Sequence, residues 1–143
     1  MNLSTQITDN VTELLVKIIK FTEIRQKVLI QNIKKARCPD FIPKDLEVRE
    51  FSAILNSAIT EHIKNRRLVL YDTENIKFCS EGNFEVEPVT DEHAAGLLKE
   101  SHEAYLKHQT NKLMENSVNQ SIAEELLKRK EKTFYCLSDS ENQ

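Results

Sequence analysis

The histidines and cysteines are the side chains of this chain best suited to metal or nucleophilic chemistry, and their spacing argues against both. His102-Glu-Ala-Tyr-Leu-Lys-His108 brings two imidazoles close in sequence. A zinc-protease helix needs its second His four residues after the first, so that both ligands share one face. Position 106 is Leu, and His108 falls on another side of the helix. His93, His102 and His108 therefore read as surface or interhelical polar residues. Cys38, Cys79 and Cys136 are odd in number and far apart, which suits neither a disulfide framework nor a zinc site. They read as free thiols, with Cys136 the most open to oxidation outside a reducing compartment. No glycine-rich loop can cradle phosphate, and no Ser or Cys has a base at a recognisable spacing. No catalytic residue, cofactor or metal is expected.

Bulk properties narrow the class further. At 143 residues the chain fits a single domain with a sizeable core. Charged residues make up 30% and hydrophobic ones 39%, with 2 Gly, 3 Pro and no Trp. So few turn formers disfavour a many-stranded sandwich or barrel and favour long helices. A net charge of −3 supplies no electrostatic reason for binding nucleic acid. Lys17, Lys20 and Glu23 interrupt the longest apolar stretch, so no membrane insertion is expected. Met1-Asn-Leu-Ser-Thr-Gln lacks the basic and apolar regions of a cleaved secretory signal.

The elements that would position any function are two long helices. Over residues 8–37, Ile7, Val11, Leu14, Ile18, Phe21, Arg25, Val28 and Asn32 recur at alternating steps of four and three, the seam spacing of a coiled coil. Leu15, Ile19, Leu29 and Ile33 form a second row beside it, so the buried face is wide enough for more than one neighbour. Such a helix spans roughly 42 Å, long for a compact domain. Pro39 stops it by removing a donor and restricting Cys38. Arg25 and Asn32 interrupt the apolar seam. Either they lie at its edge with their heads in water, or they select register by disfavouring misaligned partners.

Residues 38–89 form a variable middle. Phe51, Ile54, Leu55, Ala58, Ile59 and Ile63 predict a short helix over 48–64. Leu68–Tyr71 and Ile76–Phe78 read as a small hairpin around Asp72–Asn75. A second long helix is expected over 90–132, capped by Thr90. Its first apolar stripe is Ala94, Leu97, Leu98, Ser101, Ala104 and Tyr105, and Leu113, Met114, Val118, Ile122, Leu126 and Leu127 continue it. His108–Asn111 interrupts the stripe, where the helix either bends or packs polar groups on a neighbour. Residues 133–143 have the composition of a flexible tail.

Charge favours pairing of the two helices. Residues 1–37 hold 7 basic and 3 acidic side chains, a balance of +4; residues 91–143 hold 7 basic and 10 acidic, a balance of −3. Exposed ion pairs add well under ~1 kcal/mol each, so the asymmetry chooses partners more than it stabilises them. The expected fold is mainly α: an antiparallel coiled-coil-type hairpin of the terminal helices, with a small irregular or β-hairpin middle.

On these residues the chain resembles the proximal rod protein B family of the flagellar basal body. Arg25, Gln26, Asn32, Ile33, Ala36, Pro39, Lys44, Asp45 and Leu46 follow that family's helix–Pro–turn pattern, with Phe41 in place of Tyr. Gly82, Asn83 and Val86 look like its Gly-Asn-x-Val segment, and Glu100 and Tyr105 like its Glu-Asn-x3-Tyr motif, with Ser101 in place of Asn. Lys34, Lys35, Cys38 and Asp40 depart from the pattern. Asp40 replaces a glycine, and Asp tolerates the left-handed turn conformation better than most residues.

The resemblance implies a structural rod subunit that assembles with its own copies and with adjacent rod and basal-body proteins. It also implies passage through the flagellar export apparatus without a cleaved signal, and a place in the periplasmic rod. The alternative class is a cytoplasmic helical adaptor or secretion chaperone that uses the same apolar faces on one partner.

Overall fold

A computed structural model describes the backbone of residues 3–79 and 84–141, and the side chains of 10–79 and 84–133. The chain order is α1 (Leu3–Lys34), β1 (Lys44–Asp45), α2 (Val48–Asn65), β2 (Ile76–Phe78), β3 (Phe84–Val86), β4 (Val89–Thr90), α3 (Glu92–Glu100) and α4 (His102–Glu141). The molecule is mainly helical, with long terminal helices and a small β region between them. α1 and α4 lie antiparallel along each other: Asn32 bonds Gln109, whereas Asn116 bonds the Thr22 carbonyl.

The four-and-three spacing of α1 translates directly into burial. Leu14, Phe21, Arg25 and Asn32 are buried, and Val11, Ile18 and Val28 are half-buried. In the second row Leu15 and Leu29 are buried, and Ile19 and Ile33 half-buried. The wide face meets two neighbours, α4 on one side and the middle region on the other. On the latter side Phe21 stacks on Phe51 of α2 with ring centroids 4.1 Å apart, and Leu46, Ile54, Ile76 and Phe84 complete the core. Each such side chain contributes about 1.5–3 kcal/mol on full burial.

The middle departs from the expected hairpin. β2 pairs with β3, Ile76 opposite Val86 and Phe78 opposite Phe84, while Leu68–Tyr71 forms no ladder. The Asp72 carboxylate accepts the Phe78 N–H at 2.8 Å, and the Ile76 carbonyl accepts from Thr73 at 2.8 Å. Asp72–Asn75 is thus a turn that folds onto its own strand rather than joining two strands. Ile76, Phe78, Phe84 and Val86 share the face that packs on the aromatic core. α2 matches expectation at Val48–Asn65, closed by Arg66 in the left-handed conformation at φ 56°, whose N–H bonds the His62 carbonyl.

The boundaries of the terminal helices also differ. Thr90 belongs to β4, and Asp91 is the cap, its carboxylate accepting the Ala94 N–H at 3.0 Å. The expected helix over 90–132 is two helices. Ser101 leaves the helical region at φ −152°, ψ 113°, and its hydroxyl accepts from Ala104 N to start α4. The break therefore precedes the polar stretch His108–Asn111, which runs straight through α4. That helix continues to Glu141, past the end expected at 132 and through the segment read as a flexible tail. α1 begins at Leu3, earlier than expected, and ends at Lys34.

Candidate assembly interface

Four charged side chains from four segments meet under the closed end of the α1–α4 pair. Arg25 of α1 makes a two-pronged contact with Asp45 of β1, Nε to Oδ1 at 3.0 Å and Nη2 to Oδ2 at 3.1 Å. Lys112 of α4 donates to Asp45 Oδ2 at 2.8 Å and to Asp91 Oδ2 at 2.7 Å. Backbone donors add to these bonds: Asp45 Oδ1 also accepts from Leu46 N, and Asp91 Oδ1 accepts from Ala94 N. The set carries two charges of each sign, so the desolvation cost of burial is offset by mutual attraction and by hydrogen bonds.

The electrostatics follow from that balance. Burial pushes the Asp45 carboxyl up, but hydrogen bonds and charge from Arg25 and Lys112 outweigh it and hold the group below the ordinary carboxylate range. Asp91 behaves likewise: burial raises it, and the Lys112 and Ala94 hydrogen bonds bring it below its usual value. Burial alone would lower the Lys112 ammonium, and its two carboxylate partners raise it instead. Burial and the Asp91 charge push the Tyr105 phenol up to about 12, so it stays protonated and able to donate.

Two turns further along α1, Asn32 closes a second polar cluster. Its Nδ2 donates to the Lys44 carbonyl at 2.7 Å and to Gln109 Oε1 at 2.9 Å, while its Oδ1 accepts from Lys44 N at 3.2 Å. Tyr105 donates its hydroxyl to the Asn32 carbonyl at 2.8 Å. These bonds fix the strand β1 against α1 and set the register of α4. Neither Arg25 nor Asn32 has its head in water, so the edge-of-face alternative does not hold.

The sequence-derived residues divide accordingly. Arg25, Asn32, Asp45 and Tyr105 come together, and Ala36 joins the Tyr105 end through a small cluster with Ala94. Gln26, Ile33 and Phe41 are half-buried, whereas Pro39 is exposed. Asp40 adopts φ 61°, the left-handed conformation expected of the residue standing for glycine. Glu100 is exposed at the end of α3 and takes no part in the network. Gly82 and Asn83 lie outside the described residues. Reading the sequence missed Asp91, Lys112 and Asn116, whereas Gln109 lies in the stretch His108–Asn111 and meets the second of its two expectations, polar packing on a neighbour. The signal was available: Tyr105, Gln109, Lys112, Asn116, Asn119 and Ala123 step by four and three, but as a mostly polar row.

That row overturns the expected orientation of α4. Its α1-facing seam contains Tyr105, Gln109, Lys112, Asn116 and Ala123. Of the expected apolar stripe, Tyr105 lies on this seam and Leu113 and Leu127 are half-buried, but Met114 is 63%, Val118 57%, Ile122 54% and Leu126 45% exposed. They recur every four residues and so line up as one ridge along the helix. Beside it, α1, α2 and α4 enclose an apolar groove of about 250 Å³ containing Leu15, Ile18, Leu55 and Leu126.

The histidine spacing gives no ligand set. His93 and His108 meet edge to face with ring centroids 5.0 Å apart, and burial, Lys112 and His93 push His108 down against the opposite pull of Asp91 and Asp45. Among the described residues no group of three or more His, Cys, Asp or Glu side chains is placed to hold a metal. Cys38 and Cys79 are exposed free thiols. No described helix is long and apolar enough to cross a membrane. Comparisons with protein-family models, curated proteins and solved structures found no match.

Proposed function

We propose that this chain is a structural subunit of a helical assembly of the flagellar basal-body rod type, joined to its own copies and adjacent rod proteins through its terminal helices. The observation that carries the reading is the outward ridge Met114–Val118–Ile122–Leu126. A helix that pairs with α1 through polar side chains and leaves its apolar row exposed is built to be covered by something else. Covering each ridge residue completely stabilises by about 1.5–3 kcal/mol relative to full exposure.

The rod-type resemblance supports the same reading, because four of its motif residues, Arg25, Asn32, Asp45 and Tyr105, are the ones that close the subunit. The motif thus serves to preform the hairpin, and the ridge serves to join it. Export through the flagellar apparatus and a periplasmic rod position are parts of this proposal. Deleting the gene and imaging basal bodies by electron microscopy tests it: rods should be missing or truncated, and intact rods would sink the assignment. A purified chain that stays monomeric at high concentration with its ridge uncovered would favour an adaptor for one partner instead.

A further inference from the structure

We propose that copies of this chain join head to tail, the C-terminal end of α4 from one copy seating in a basic-rimmed groove at the closed end of the next. The proposal deepens the rod-type reading and takes from it only that copies associate. The groove, of about 350 Å³, lies where α1 runs into the turn before β1. Val28, Phe41 and Ile42 supply apolar walls, and Lys27, Lys35 and Lys44 stand around them. Ile42 is 56% exposed. No carboxylate lines the groove, and none of the three lysines forms an ion pair among the described residues. Three like charges around an apolar floor call for an occupant that is both apolar and acidic.

The chain carries such a segment. Residues 133–143 hold no Lys or Arg, and within them Phe134, Tyr135 and Leu137 are followed by Asp139 and Glu141. The α4 backbone stays helical to Glu141. Because Thr22 meets Asn116 and Asn32 meets Gln109, the antiparallel register carries the end of α4 past the start of α1. The segment is thus at the opposite end of the hairpin from the groove, roughly 42 Å away at the helical rise of 1.5 Å per residue. A surface and its complement on opposite ends of one molecule cannot satisfy each other about a two-fold axis. They join by translation, and the contact repeats without closing unless a rotation closes it into a ring.

Cysteine cross-linking reads this contact directly, since Cys38 is exposed in the turn beside the groove and Cys136 lies within the seating segment. The full chain carrying Cys79→Ser, treated with copper–phenanthroline, should give a reducible ladder of dimers, trimers and longer products. In each link two thiols lose two protons and pass two electrons to the copper oxidant. Peptide mass spectrometry should find the Cys38–Cys136 disulfide. Products joined only as Cys38–Cys38 or Cys136–Cys136, or no products in concentrated protein, overturn the proposal.

Lys27→Glu with Lys35→Glu should reduce the ladder about tenfold, and adding Asp139→Lys with Glu141→Lys in the same chain should restore it. Circular dichroism confirms that each variant is folded, and failure of the swap to restore the ladder in folded protein counts against the pairing. The two readings separate cleanly. Rods lost on gene deletion without a Cys38–Cys136 link retire the groove contact alone; a link with intact rods retires the rod assignment alone.

Discussion

The two long faces of α4 differ in a way that reverses the usual arrangement of an amphipathic helix. Toward its own partner α1 it turns Tyr105, Gln109, Lys112 and Asn116, and away from it Met114 and Val118, with Ile122 and Leu126 at the rim of the groove it shares with α1 and α2. The inner face obtains specificity from directional bonds, each of which fails if the helices slip by one turn. The outer face offers non-directional apolar area, which tolerates a range of partners and crossing angles. One face therefore fixes the subunit, and the other stays largely uncovered within it.

The largest effect should come from breaking the inner face. Asp45→Ala leaves Arg25 without its carboxylate and Lys112 with one partner instead of two. Chemical denaturation should show a loss of about 3–5 kcal/mol. Asn32→Ala removes the link between β1, α1 and Gln109, with an expected cost of about 2 kcal/mol by the same measurement. A double-mutant cycle of Asn32 with Gln109 should give a coupling of about 1 kcal/mol, and strict additivity would show that the two side chains do not share a bond in solution.

Acid should act on the inner face as well. Asp45 and Asp91 are held below their ordinary 3.8, so their contribution is present above that value and is lost as pH falls through their folded-state values. Lys112 is raised above 10.5, so its contribution is intact below that pH and is lost as pH rises through the folded value. Thermal unfolding followed from pH 6 to pH 2 should decline in the wild type more than in an Asp45→Asn, Asp91→Asn variant. At Asp40, φ 61° predicts that Asp40→Gly raises stability by a few tenths to about 1 kcal/mol. The outer face should give the smallest change in stability. Val118→Asp with Ile122→Asp should move unfolding by within ~0.5 kcal/mol while abolishing association in sedimentation. A large destabilisation there would mean that the ridge is part of the subunit core and would erase the contrast.

The sequence disclosed α1 almost completely, because its four-and-three spacing is carried by apolar residues that periodicity detects. It disclosed α2 for the same reason. The hairpin lies elsewhere than expected because Leu68–Tyr71 has strand-like composition, while the bond of the Asp72 carboxylate to Phe78 N–H is a side-chain event that periodicity does not register. In α4 the apolar row was visible but was read as the buried one. Gln109, Lys112 and Asn116 give no hydrophobic signal, and their partners lie far away in sequence. Arg25 and Asn32 stood out because they broke an apolar row; Lys112 broke none.

The Asp45 clasp also has a direction in time. Its Arg25 bond spans 20 residues, whereas its Lys112 bond spans 67. A chain emerging from its N-terminus can make the short loop early, but the carboxylate waits for its second cation until 112 of the 143 residues are out. Loop closure over that distance is a slow, high-contact-order event. The clasp thus completes only after most of the chain is present, and until then Asp45 holds a single cationic partner.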